Sequence, residues 1–476
     1  MMMLPEIIVL GCAVVVLVVD MMLDERRRTI VAPTAVGGLA LALAVILSIV
    51  PQSGSMLGGR FGMDPVAWWM KVLFVFSGLV TALLSLDLLD GRVRVRMRGI
   101  GFRGEYYAVL LATVSGMMIL ISARDMITLY VSLELATIPL FVLAAWRRDE
   151  ALSGEAGLKY VVIGAMASAF IVYGLGILYG LTGSTELRAV GPRLAGVPAF
   201  WLAAAMLIAG IGFKLTLVPF HFWAADVYQG APAPVTAYLS VASKGAGLAF
   251  MFQIVFRLMG GLVAEGAPVV AVFAAVTMTL GNTVAIVQHN IKRFMAFSAI
   301  SQAGYLIMGF VGGLAEGVPA MLFYMLVYAV TNLAVFACII WTSNQTGHEQ
   351  IEDYRGLSRT NPIMALAMML GLFSLAGIPP LSGFVGKFFL FSVASKAGFH
   401  WLVAVAAVNS TVSLYYYLRI VRQMYIEPPD KQAERVPITP TLAVTLAVLS
   451  IGVVLMGIMP SLYETISEQT LSWLAR

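Results

Sequence analysis

The sequence predicts an all-α, polytopic membrane protein of about fourteen transmembrane helices, and three observations carry that expectation. Of 476 residues, 60% are hydrophobic and only 12% charged, where a soluble domain carries about 25% charged residues. Apolar runs of about 20 residues, long enough to cross a bilayer as a helix, recur along the whole chain. The basic residues between them fall mostly on every second connection. The net charge of +5 therefore reflects loop arginines and not a nucleic-acid partner.

The runs lie at 5–23, 31–50, 65–88, 105–122, 125–146, 158–181, 199–223, 233–259, 268–287, 294–314, 317–343, 362–391, 401–424 and 437–459. The first has no basic residue ahead of it and no small-residue cleavage site, so it reads as a retained span. Asp87 and Asp90 close the third run at the interface. The fifth carries Glu134 roughly 13 Å deep, near the midplane. The seventh places Lys214 just ahead of Pro219, and the eighth opens on Pro232 and Pro234 and holds Lys244 at a similar depth to Glu134. The twelfth is overlong, is interrupted by Pro379-Pro380 and holds Lys387. Proline in a spanning helix frees carbonyls that neighbours or water must satisfy. The tail from 461 to 476 is short and amphipathic.

Loops after odd-numbered runs hold 19 basic residues and the others 8, Lys71 and Arg257 among the latter. By the positive-inside bias the odd loops are cytoplasmic and both termini lie outside. Segments AGIGFKLTLVPF (209–220) and AGIPPLSGFVGKFF (376–389) share a start and a proline break five runs apart. An odd displacement reverses membrane direction, as in inverted repeats. The expected organisation is an N-terminal three-helix segment (1–104), two five-helix repeats (105–260 and 261–435), and a C-terminal helix with its tail (436–476).

Cys12 and Cys338 lie apart in apolar runs, and the four histidines (His221, His289, His348, His400) show no paired spacing. Nothing in that pattern suits haem, an iron–sulfur cluster or a catalytic metal. Chemistry therefore rests on the intramembrane charges. Each costs roughly 2.5–3.5 kcal/mol at mid-bilayer on insertion scales, so Glu134, Lys214, Lys244 and Lys387 must face protein or water. They serve either as structural ion pairs or as a proton path. In low dielectric an ammonium yields its proton near neutral pH, and a nearby carboxylate restores its hold. Lysines beside helix breaks favour the path. His221, just after the break, is a candidate relay. His289, Lys292 and Arg293 read as topology anchors, and Lys159, opening the sixth run after a basic loop, reads the same way on position alone.

FKLTLVPFHFWAADVYQGAPAPVTAYLSVASK resembles the antiporter-like membrane subunits of complex I and its relatives, and VYQGAPAPV with the following SK resembles their bacterial subunit N branch. LYVSLELATIPLFVLAAW (129–146), EAGLKYVVIGAMASAFIVYG (155–174), NIKRFMAFSAISQAGY (290–305), YAVTNLAVF (328–336), DYRGLSRTNP (353–362), SLAGIPPLSGFVGKF (374–388) and NSTVSLYYYLRIVRQMY (409–425) agree in order, so the likeness runs from about 105 to 425. The resemblance implies a proton-translocating subunit of a bacterial plasma-membrane NADH:quinone oxidoreductase. It implies proton-carrying roles for Glu134, Lys214, Lys244 and Lys387, and a lysine near the sixth helix at Lys159. The partners it implies are neighbouring antiporter-like and small membrane subunits and the lipid bilayer, with no nucleic acid. NADH, FMN, iron–sulfur clusters and quinone would be handled by other subunits, with no cofactor or metal on this chain. Gln302 and Ala303 depart from the family, which often has histidine in this motif. Two other readings stay open: a subunit of a sodium/proton antiporter or membrane-bound hydrogenase, and a purely structural subunit.

Overall fold

In the computed structural model, which describes residues 2–23, 30–51, 53–89, 103–190, 194, 196–258, 263–429 and 437–474, almost every predicted run is a helix. In chain order these are α1 (Leu4–Met22), α2 (Val31–Ser48), α3 (Pro65–Leu84), α4 (Arg103–Ser122), α5 (Met126–Ala144), α6 (Ala151–Thr182), α7a (Pro198–Leu215) and α7b (Phe222–Gly230). There follow α8 (Ala233–Leu258), α9 (Val263–Ala285), α10 (Ile291–Met308), α11 (Val318–Thr346), α12a (Pro362–Ala376), α12b (Ser382–Lys396), α13 (His400–Tyr425), α14 (Pro440–Ile458) and α15 (Ser461–Leu474). Twelve stretches are long and apolar enough to cross a membrane. One of them, Ile291–Thr346, comprises α10 and α11, and the broken α12a–α12b supplies a further crossing, which brings the described spans to fourteen. A short antiparallel hairpin, β1 (Gly54–Met56) with β2 (Phe61–Met63), covers the connection from α2 to α3.

Local chemistry sets many helix starts. Asp64 caps α3 by accepting from Ala67 N at 2.8 Å, with Pro65 in the first turn. Asp125 caps α5 through Ile127 N and Thr128 N, and Asn290 caps α10 through Arg293 N. The start that departs furthest from expectation is that of α6. Helix α6 begins at Ala151 rather than near 158. Ser153 Oγ donates to Ala144 O and accepts from Arg147 N, which ties this first turn to the end of α5. A polar start held by a tertiary contact carries no hydropathy signal.

The centre of the bundle is α8, α10 and α11, whose side chains are buried almost throughout, whereas α1, α2 and α14 lie at the periphery. Helix α11 packs on α8, α12a and α12b, so one helix touches both broken regions. Helices α9 and α10 approach closely at Gly281, where a Cβ would stand 2.5 Å from Ser301 N.

Lys71 and Arg257, counted among loops, prove to be interior. Lys71 lies in α3 with 0% exposure and pairs at 2.6 Å with Glu6 of α1. Arg257 closes α8 and pairs with Asp64. Both partners come from other helices, which a count along the chain cannot anticipate. Breaking a buried pair on one side typically costs 3–5 kcal/mol. Lys71→Met should therefore lower the thermal unfolding midpoint of the detergent-purified protein, while Glu6→Leu with Lys71→Met should regain much of the loss; equal midpoints for wild type and Lys71→Met would refute the pair's contribution. The loops at 26–28 and 92–98, with Asp90, Arg193, Lys431, Arg435, Arg476 and the side chain of Asp87, lie outside the described residues.

Candidate functional site

Both predicted helix breaks exist. Helix α7a ends at Leu215, Thr216 takes φ 60°, a cis Val218-Pro219 bond follows, and the chain re-enters helix at Phe222. Helix α12a ends at Ala376, Gly377 takes φ 89°, a cis Pro379-Pro380 bond follows, and α12b begins at Ser382. Glycine suits the second position, where a Cβ would also meet Lys387 Cδ at 3.1 Å. The first holds a β-branched threonine in the left-handed region, a conformation that persists only where surroundings enforce it. Here Thr216 Oγ1 donates to Leu215 O and accepts from Lys244 Nζ at 2.7 Å. Pro232 and Pro234 open α8 right after α7b.

Lys214, Lys244 and Lys387 are all buried and lie at or beside these breaks. Lys214 Nζ donates to Thr137 Oγ1 at 2.5 Å. Lys387 Nζ donates to Leu375 O, Ala376 O and Ser410 Oγ at 3.0, 3.0 and 3.1 Å, and lies 4.5 Å from the Tyr305 ring centroid. Its three protons thus meet three acceptors, two of them carbonyls left open by the end of α12a. Among the described residues Lys214 and Lys244 each have one hydrogen-bond partner, Thr137 and Thr216, where Lys387 has three.

Glu134 and Lys214 are joined less directly than their charges suggest. Glu134 sits one turn before Thr137 on α5 and accepts from Ser168 Oγ at 2.6 Å, within electrostatic reach of Lys214. The Thr137 hydroxyl that accepts from Lys214 itself donates to Leu133 O, so it joins Lys214 to α5 one turn from Glu134 without bonding to the carboxylate. On its other side Glu134 lines a largely apolar groove of about 1110 Å³ with Tyr130, Trp146 and Tyr173.

Several groups in the polar line are residues that the sequence did not single out. Asn332 of α11 donates to Ser240, which precedes Lys244 by one turn on α8. The adjacent Thr331 Oγ1 is 3.1 Å from Ser374 Oγ in α12a, next to the carbonyls that hold Lys387. The Asn332 Oδ1 and Tyr328 hydroxyl atoms nearby are buried without a hydrogen-bond partner among the described residues, and buried polar groups of this kind are served by ordered water. On the far side of Lys387, Gln302 Nε2 donates to the same Leu375 O at 3.0 Å and to Tyr417 at 3.3 Å, and Gln302 accepts from Tyr324. Uncharged serines and threonines in apolar helices give no signal apart from their neighbours, and hydropathy treats them as indifferent.

The remaining candidates lie off this line. Lys159 is half-exposed and pairs at 2.6 Å with both Glu155 and Asp226, and Asp226 also pairs with Arg293. This cluster joins α6, α7b and α10. His221 is buried at the start of α7b, and its Nδ1 has no hydrogen-bond partner among the described residues. Lys292, expected as a surface anchor, is instead buried, donating to Ala231 O at 2.9 Å and pairing with Glu349 at 2.8 Å. It satisfies a carbonyl at the turn between α7b and α8, a role set by the fold.

Residues 123–413 match the family described as NADH:quinone oxidoreductase/Mrp antiporter, TM. The NADH-quinone oxidoreductase subunit N of Moorella thermoacetica is 39% identical over 459 residues, covering 96% of this chain and 95% of the relative. That of Heliobacterium modesticaldum is 42% identical over 440 residues, covering 92% and 91%. A chain of the respiratory complex I of Thermus thermophilus, solved with bound aureothin, superposes with a TM-score of 0.81 at 30% identity, over 96% of this chain and 98% of that one.

Proposed function

Since the chain belongs to the NADH:quinone oxidoreductase/Mrp antiporter transmembrane family, we propose that its buried charges form one proton path, running from Glu134 through Lys214 and Lys244 to Lys387. It is a proton-translocating membrane subunit of an NADH:quinone oxidoreductase, the subunit N type, and its partners are the other membrane subunits of complex I. Electron transfer, with its NADH, FMN, iron–sulfur clusters and quinone, belongs in this reading to other subunits, and this chain contributes ion transfer alone. The path runs within two five-helix repeats of opposite direction, 105–260 and 261–435, each with one broken helix. The arginine-rich loops face the cytoplasm of a bacterium and both termini face outward.

The observation that carries the reading is the polar line through α11: Ser240 and Asn332 beside Lys244, then Thr331 and Ser374 beside Lys387. With Glu134 ionised, Lys214 holds a proton. When that influence withdraws, the proton passes by way of Thr216 to Lys244, and from there along the α11 groups and the water they bind to Lys387. Lys159 and His221 are assigned supporting relay roles at the cytoplasmic rim and at the first break. Asn332→Leu keeps the branched shape of the side chain and removes its hydrogen bonds. In the assembled, reconstituted complex it should slow quinone-coupled proton pumping about tenfold, the effect of losing a buried hydrogen bond at the limiting step. Normal pumping by an assembled Asn332→Leu complex would rule out this route between the lysines.

A further inference from the structure

Away from the lysines, at the end of the bundle that carries the β1–β2 hairpin, a polar cavity of about 460 Å³ is lined by Asp64, Arg124, Glu186, Arg188, Arg257 and Ser55, among others. Its charges do not balance: three guanidiniums face two carboxylates. Asp64 is 2% exposed, and one of its oxygens caps α3 through Ala67 N. The other accepts from both Arg124 and Arg257, so two arginines share a single acceptor atom. Arg124 Nη1 instead donates to Ile121 O and Ala123 O.

Arg188 is exposed at the rim and has no ion-pair partner among the described residues, yet it stands within electrostatic reach of both Arg124 and Arg257. Burial, and then the facing Arg257, lower Arg124 to about 9, and the attraction of Asp64 offsets this only in part. Burial pushes the Asp64 carboxyl up, but Arg257 and Arg124 hold it below the usual carboxylate range. Both groups thus stay charged at neutral pH, and the cavity keeps a net positive charge.

Guanidiniums present paired donors that match the oxygens of a phosphate, and such bonds are stronger than neutral ones. The cavity opens where α3, α5 and α8 reach their ends, at the height of lipid headgroups. We propose that Arg124, Arg188 and Arg257, held in place by the buried Asp64, form a binding site for a phosphate group, either the phosphodiester of an anionic lipid headgroup or free phosphate. The bound anion neutralises the excess charge and ties α8 and the loop before α5 to the segment at Arg188. This site is separate from the proton path and does not depend on it.

The test uses the purified, delipidated complex and two probes: radiolabelled inorganic phosphate in equilibrium dialysis, and short-chain phosphatidylglycerol followed by native mass spectrometry. Wild type should bind at least one. Binding of the lipid alone identifies a headgroup site, and binding of inorganic phosphate identifies a site for the free ion. Arg188→Gln, an exposed change outside the bundle core, should weaken the retained probe about tenfold, the loss expected for one charge-assisted contact. Arg188→Lys should recover part of that affinity. Failure of both probes to bind wild type, or equal affinity in Arg188→Gln, overturns the site.

Discussion

Glu134→Gln is expected to remove at least about nine-tenths of proton-coupled turnover, a barrier change of ~1.4 kcal/mol or more, while leaving the complex assembled. Glutamine keeps the shape and can still accept from Ser168 Oγ, but it carries no charge to act on Lys214. Glu134→Asp should retain a reduced part of the rate, because the charge survives one methylene further from its partners. Lys214→Ala should resemble Glu134→Gln, and the double variant should be little worse than either single one, as for residues that act as a unit. Thr137→Val sharpens the test. It removes the hydroxyl that accepts from Lys214 Nζ at 2.5 Å and leaves both charges in place. An intermediate defect in reconstituted vesicles, read as acidification per quinone reduced, is the expected result. If the defects of Glu134→Gln and Lys214→Ala multiply instead, the two residues act separately and the switch is wrong.

Lys387→Ala should assemble and yet pump at about a tenth of the wild-type rate or less. The lysine's partners among the described residues are two backbone carbonyls and the Ser410 hydroxyl, with no carboxylate there to be stranded by its loss. That is why folding should survive and function should not. Lys387→Arg discriminates between the two readings of this site. A structural cation is replaced well by arginine, which keeps its charge, whereas a proton carrier is replaced poorly, because arginine does not give up its proton in this range. Gly377 adds a steric reason for a partial defect, since the Lys387 chain already passes 3.1 Å from where a Cβ there would stand. Full pumping by Lys387→Arg, or by an assembled Lys387→Ala, would show that the residue does not carry protons.

What could be read without coordinates was set by strong, local signals. Fourteen apolar runs cross a bilayer wherever they sit, because unpaired backbone in lipid is so unfavourable that each run must be a helix. Glu134, Lys214, Lys244 and Lys387 stood out for the same reason, as charges that lipid penalises heavily. Pro219 and Pro379-Pro380 marked both helix breaks, since proline removes a donor and frees carbonyls wherever it falls inside a helix.

Only the tertiary structure decided which groups meet. Lys71 reads as a loop cation until Glu6 arrives from α1, and Lys292 reads as an anchor until Ala231 O and Glu349 enclose it. Thr137, Thr216, Ser240, Thr331, Asn332, Ser374 and Ser410 are small or uncharged, and nothing along the chain separates them from the many other polar residues in these helices. Ser240, Thr331, Asn332 and Ser374 gain meaning because α11 packs against α8 and both halves of α12, which brings hydroxyls and an amide from distant segments into line between Lys244 and Lys387. Hydropathy is a property of each residue and can be summed along the sequence, but a hydrogen bond belongs to two residues, and here most of the decisive partners lie on different helices.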